Sequence, residues 1–219
     1  MTSRQPIPGG RATRGERTGR RPGPSTTRAD ILAAARESFA ELGYDRTSVR
    51  GVAGRAGVDP ALVHRFFGSK DDLLAAALEV AVNPAERIPE VMAGEPSALG
   101  ERVVRYFLSV WEQSPSREVM IGMLRSAATN AQAAKLMREF FSNEVLARIA
   151  APLAGEDAEL RATLMSSQLL GLATIRYILR VEPLASASQE TIVTALAPTL
   201  QRYLTGELGL SERPSRAQE

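Results

Sequence analysis

From Thr27 onward, apolar residues recur at intervals of three and four almost to the end of the chain. Ile31, Ala35, Phe39 and Leu42 fall on one face of a predicted helix, with Arg36, Glu37 and Glu41 on the other. Thr27 stands where an N-cap is expected, Asp30 follows three places on, and Gly43 stops the run. Capping signals and breakers divide the remainder. Ser69 with Asp72 opens a helix to Asn83-Pro84, and Ser97 opens another through Arg102, Tyr106 and Trp111 to Pro115. Ser116 to Asn130 and Ala131 to Leu153 come next. The turn Gly155-Glu156-Asp157 then leads into a long segment, Ala158 to Val181, ended by Pro183. Ser188 starts the last helix, to Leu204, and Pro198 inside it is expected to kink it. No window alternates apolar and polar residues between turn signals, so no sheet is expected. The fold class is all-α.

The segment from Asp45 to Leu74 is the most informative. Thr47 or Ser48 caps a short helix whose inward positions are Val49, Val52, Ala53 and Ala56. Gly57 supplies the positive φ that a tight interhelical turn needs, and Val58 plugs that turn. Asp59 suits an N-cap and Pro60 a first helical position, so a second short helix starts there and ends before Gly68. Helices this short are unstable alone and must pack on a third, which the amphipathic stretch Asp30–Leu42 provides. The result is a helix-turn-helix over 48–67, whose second helix enters the DNA major groove N-terminus first. Candidate DNA contacts are Thr47, Ser48, Arg50, Asp59, Pro60, Ala61, Leu62, His64, Arg65 and Lys70. Arg50 suits a bidentate contact with guanine. Lys70 and the first amides of the following helix suit a phosphate. Val63 and Phe67 face the small core. His64, the one histidine, reads either as a donor to a phosphate oxygen or as a ring packed under Phe67.

Charge adds a second signal. The formal net charge is only +2, yet residues 1–28 hold seven arginines against Glu16 alone, so the rest of the chain is net acidic. Such an arm suits a polyanion, and a solubilising leader is the other reading. Residues 1–26 are rich in Pro, Gly, Arg, Ser and Thr and are expected to be disordered, as is the tail 207–219. The chain has no cysteine, which removes disulfides and thiolate metal sites and fits a cytoplasmic protein. No apolar run reaches the length of about 20 residues that spans a membrane. No catalytic residues, metal site or cofactor motif is expected.

The run Thr47-Ser48-Val49-Arg50-Gly51-Val52-Ala53-Gly54-Arg55-Ala56-Gly57-Val58, with the exit Phe67-Gly68-Ser69-Lys70-Asp71-Asp72-Leu73-Leu74, resembles the N-terminal domain of TetR-family repressors. The resemblance covers Thr27 to Val82. It implies that Ser48, Arg50, the face Asp59 to Arg65, and Lys70 contact DNA. The chain departs from the family at Leu62, where a small polar residue is common, and at His64, where a phosphate-contacting tyrosine is usual. Gly51 and Gly54 also replace better helix formers, at about 1 kcal/mol each relative to alanine.

Beyond Val82, Met92, Met120, Met123, Met137 and Met165 accompany the single tryptophan and several other aromatics. Methionine adapts to irregular gaps, so a hydrophobic cavity is expected. Its predicted lining is Tyr106, Trp111, Met120, Met123, Met137, Phe140 and Met165, with Arg105, Gln113, Arg125, Asn130 and Gln168 as polar candidates; ordinary helical core is the alternative. The resemblance implies that this region binds an effector and that the last two long helices pair with their two-fold mates. Predicted interface positions are Leu164, Leu169, Leu172, Ile175, Leu179, Leu196 and Leu200, against an intramolecular hairpin in a monomer. The expected organisation is a disordered arm (1–26), a DNA-binding head (27–82), a ligand-binding and dimerisation body (83–206) and a tail. The expected function is a sequence-specific, homodimeric transcriptional regulator. It would act as a repressor released from a palindromic double-stranded DNA operator by a small hydrophobic effector that shifts the helix beginning at Ser69. A non-specific architectural DNA-binding protein, or a carrier or enzyme using the cavity, are the alternatives.

Overall fold

The first helix begins a turn before its polar signals suggest. In the computed structural model, which describes residues 24–153 and 155–209, α1 spans Pro24–Arg46, with proline in the first turn where its missing N–H costs nothing. Thr27 is therefore inside the helix and not its cap, and residues 24–26 belong to α1 and not to an arm. The rest of the arm and most of the tail lie outside the described residues. Gly43 breaks α1 as expected, at φ 71° and ψ −176°.

The head is completed by α2 (Val49–Ala56), α3 (Pro60–Phe67) and α4 (Lys70–Val82). Every predicted device at these junctions forms. Ser48 accepts from the Gly51 amide, Gly57 takes the left-handed conformation at φ 67°, and Asp59 accepts from the Ala61 amide. Ser69 and Asp72 form a reciprocal capping box on α4.

The body contains α5 (Pro84–Met92), α6 (Leu99–Glu112), α7 (Ser114–Thr129), α8 (Ala131–Phe140), α9 (Ala147–Ala150), α10 (Ala158–Ala173) and α11 (Gln189–Thr205). Helix α5 is a finding beyond the sequence reading, which left 84–96 unassigned. A short 3-10 turn, Pro96–Ala98, precedes α6, and α7 starts at Ser114 ahead of the expected Ser116. The runs after α8 and α10 widen into π-helical turns, Phe141–Leu146 and Thr174–Leu179. Helix α11 continues unbroken through Pro198. Among the described residues there is no strand, and no helix is long and apolar enough to cross a membrane.

Among the described residues two clusters form the interior. One joins the head (Ile31, Phe39, Val52, Val63, Leu73) to α7 and α8 (Val119, Met123, Met137, Phe140), so the head does not have a core of its own. The other lies among α5, α6, α9, α10 and α11. Helices α1 and α7 cross at Gly122, where an added Cβ would stand 2.5 Å from the Phe39 carbonyl oxygen. Polar contacts fasten the same joint. The Tyr44 amide donates to Ser126 Oγ at 2.8 Å, and Asn130 Nδ2 to Asp45 Oδ1 at 2.5 Å. Asp71 accepts from the Tyr44 hydroxyl and from Gln132 Nε2.

Candidate nucleic-acid interface and body cavity

The caps of α2 and α3 use their polar side chains locally, which fixes two short helices at the angle the Gly57 turn sets. Val52, Val63 and Phe67 are buried behind them. Ser48, Arg50, Asp59, Ala61, His64 and Arg65 are exposed, and Pro60, Leu62 and Lys70 are half-buried. Thr47 departs from the predicted set. It is only 3% exposed, and its hydroxyl donates toward the carbonyls of Ser38 and Gly43, so its side chain closes the joint between α1 and α2 and does not present itself to a ligand. Lys70 is also held differently from the expectation. Its ammonium lies 4.0 Å over the Tyr44 ring and 3.4 Å from the Asp45 carbonyl, and desolvation there pushes its pKa down.

His64 is exposed, so the packed-ring alternative does not describe it. Nδ1 donates to the Gly68 carbonyl at 2.7 Å. That leaves Nε2 as the free ring nitrogen, and it becomes a donor only when the ring carries both protons. Two cations escaped the sequence reading as parts of this surface. Arg28 lies 5.1 Å from the centre of the Phe67 ring, beside the end of α3, and Arg46 is exposed just before α2. Their visible signal was charge alone. Arg55 instead pairs with Glu41 at 2.6 Å and Glu37 at 3.4 Å, which secures α2 to α1.

A cavity of about 100 Å³ lies in the body, walled by α5, α6, α10, the first π-helical turn, Met120 of α7, Ile149 of α9, and the ends of α4 and α8. Of the seven predicted lining residues, Tyr106, Trp111, Met120, Phe140 and Met165 line it. Met123 and Met137 do not; both are buried in the cluster that joins the head to α7 and α8. None of the five polar candidates reaches it. Arg105, for instance, is tied to Glu101 and Glu190, and Asn130 caps α8. Trp111 is 3% exposed and stacks on Tyr177 at 5.2 Å with an interplanar angle of 11°. The Tyr106 hydroxyl donates to the Val82 carbonyl at 2.7 Å, and burial pushes its pKa up to about 12.

The predicted interface set divides. Leu200 is fully buried and Leu169 and Leu172 are nearly so, all three in the protomer's own core, and Leu169 also lines the cavity. Leu169 and Leu172 pack inward in the body cluster, and Leu200 is covered because α11 lies so close on α6 that a Cβ on Gly100 would meet the Ala197 carbonyl oxygen. Leu179 is 61% exposed, Leu164, Ile175 and Leu196 are half-buried, and Leu170 is exposed beside them. Gly171 on the same helix faces open space.

Residues 31–77 match the family described as "Bacterial regulatory proteins, tetR family", and residues 98–204 match "Tetracyclin repressor-like, C-terminal domain". A solved TetR-family regulator of Streptomyces coelicolor A3 is 40% identical, over 85% of this chain and 99% of that one, with a TM-score of 0.65. A transcriptional regulator of Rhodococcus sp. Rha1 is 27% identical, over 84% and 97%, with a TM-score of 0.57. An HTH-type transcriptional repressor of Mycobacterium tuberculosis is 49% identical over 51 residues, which is 23% of this chain and 27% of that protein. The chain thus spans about a quarter of the length of such curated relatives. The first family match falls on the helix-turn-helix and its supporting helices, the second on the body that encloses the cavity, and a relative matched over nearly its whole chain stands at 40% identity; the chain belongs to the TetR family of bacterial regulatory proteins.

Proposed function

We propose that the protein is a cytoplasmic, homodimeric transcriptional repressor that binds a palindromic operator and leaves it when a small apolar effector fills the body cavity. The observation that carries this reading is the exposed face of α2 and α3. Arg50, Ala61, His64 and Arg65 are free of burial there, while Asp59 and Ser48 are spent on fixing the helices. A helix of eight residues reads few bases, so two heads on one duplex supply the affinity. The face of Leu164, Ile175, Leu179 and Leu196 supports pairing of α10 and α11 with a second copy, since these apolar groups are not fully buried in the protomer and Gly171 on α10 faces open space, which admits close approach.

The test is fluorescence anisotropy on duplexes from the protein's own upstream region and on scrambled duplexes at physiological salt. Arg50→Ala should weaken specific binding by roughly 5- to 150-fold, the worth of one bidentate base contact, and leave scrambled binding nearly unchanged. Equal affinity for the two duplexes would refute the repressor reading in favour of a non-specific architectural protein.

A further inference from the structure

The cavity is walled almost entirely by carbon. Its lining residues include no charged side chain, and only Tyr106 and Ser166 bring hydroxyls. Tyr106 does two things at once. Its ring lines the cavity, and its hydroxyl donates to the carbonyl of Val82, the last residue of α4. Carbonyls at a helix end have no partner within the helix, and here the body supplies two: Tyr106 for Val82 and Ser116 for Ala81, at 2.8 Å. The other end of α4 begins at Lys70, directly after the turn that follows α3. A single rigid helix therefore has one end tied to a cavity-wall hydroxyl and the other joined to the DNA-facing helix.

Resting on the reading of this cavity as the effector site, we propose that Tyr106 is the sensing residue and that the effector is a neutral single-ring aromatic with one hydrogen-bond acceptor. The ring packs among Trp111, Phe107 and Phe140. The acceptor takes the Tyr106 hydroxyl from Val82, and the end of α4 is freed. The size fits. A volume of about 100 Å³ is somewhat below the ~150 Å³ known to hold a benzene ring, and Met92, Met120 and Met165 on the wall adapt at small cost. A carboxylate of the same size is rejected, because no cation lines the wall to offset the loss of its hydration.

Nitrobenzene is the probe, and Trp111, the chain's one tryptophan, is the reporter. Nitrobenzene should quench its fluorescence saturably, and benzoate at the same concentrations should not. In the same protein nitrobenzene should speed amide hydrogen exchange across 81–87. Tyr106→Phe should retain quenching, weakened by no more than roughly tenfold, the worth of one neutral hydrogen bond. Exchange in that segment should then be fast with or without nitrobenzene. Ser116→Ala, which removes the neighbouring bond without touching the cavity, should keep the nitrobenzene response. Equal quenching by benzoate, or quenching that never saturates, overturns the ligand class. A nitrobenzene-dependent rise in exchange across 81–87 that survives in Tyr106→Phe, or that is lost equally in Ser116→Ala, overturns the role of Tyr106. No DNA enters either measurement, so failure of the operator reading would show separately.

Discussion

Replacing Gly122 by alanine adds one methyl group where α7 crosses α1. The new Cβ would lie 2.5 Å from the Phe39 carbonyl oxygen, 3.2 Å from Ala40 Cα and 3.3 Å from the Ala40 carbonyl oxygen. The first distance is about 0.9 Å short of ordinary contact, and all three atoms are backbone, so no side chain can turn aside. The helices must part. Phe39, Val119 and Met123, all buried at this crossing, then lose part of their contacts. Overpacking of this kind costs about 3 kcal/mol at its upper range. Alanine in a helix interior returns about 1 kcal/mol relative to glycine. The net is a destabilisation of about 2 kcal/mol, which lowers Tm by roughly 4–8 °C for a chain of this length. Gly54→Ala is the matched control. It makes the same chemical change on α2, where nothing stands within 4 Å of the added methyl. It should raise Tm by roughly 2–4 °C. Thermal unfolding followed by circular dichroism measures both. If Gly122→Ala is as stable as the parent, α1 and α7 are not in backbone contact and the joint between head and body is looser than described.

His64→Ala should weaken operator binding by roughly tenfold and leave Tm within about 1 °C, because the ring is exposed and its one bond is local; a large fall in Tm with unchanged affinity would show a packing role instead. Gly171→Arg fits the isolated protomer, since that position faces open space, but puts a charge into the proposed interface. Sedimentation should then show monomers, and a persistent dimer would move the interface elsewhere. Hydrogen bonds from the Ser69 hydroxyl and amide hold the Asp72 carboxyl below the usual aspartate range. Its contribution to folding is thus present above that range and lost as pH falls through the depressed value. Denaturant midpoints from neutral pH to pH ~3 should fall less in Asp72→Asn than in the parent, and parallel curves would rule out the capping role.

The head was legible because its determinants are local. Ser48, Gly57, Asp59-Pro60 and the Ser69–Asp72 pair each act within four residues, so spacing alone reveals them. The errors came where partners are distant in sequence. Thr47 looked like an alternative cap or a DNA contact; its bond to the Gly43 carbonyl is local, but only the fold brings the Ser38 carbonyl to the same hydroxyl and buries it. Met123 and Met137 carry the same side chain as Met120 and Met165, yet only the latter two reach the cavity, and Met120 does so from within the cluster that joins head and body. Helical periodicity reports that a face is apolar but not which apolar neighbour it meets. The same ambiguity placed Leu200 in an interface, although Gly100, a hundred residues away, lets α6 close over it.

These misplaced residues bear on how the two halves communicate. With Met123 and Met137 in one cluster with Phe39 and Leu73, the head cannot move as a separate body without opening buried surface against α7 and α8. The polar contacts of Tyr44, Asp45 and Asp71 with Ser126, Asn130 and Gln132 oppose the same motion at the rim. The opposite end of α4 carries no such double restraint. Its last two carbonyls rest on single hydroxyls, and Asn83 follows in the left-handed conformation at φ 49° before α5 restarts the chain. A perturbation in the cavity therefore meets least resistance at Val82 and Asn83. On the proposed function, an effector therefore acts on α4 at this end, and the head follows together with α7 and α8 and does not part from them.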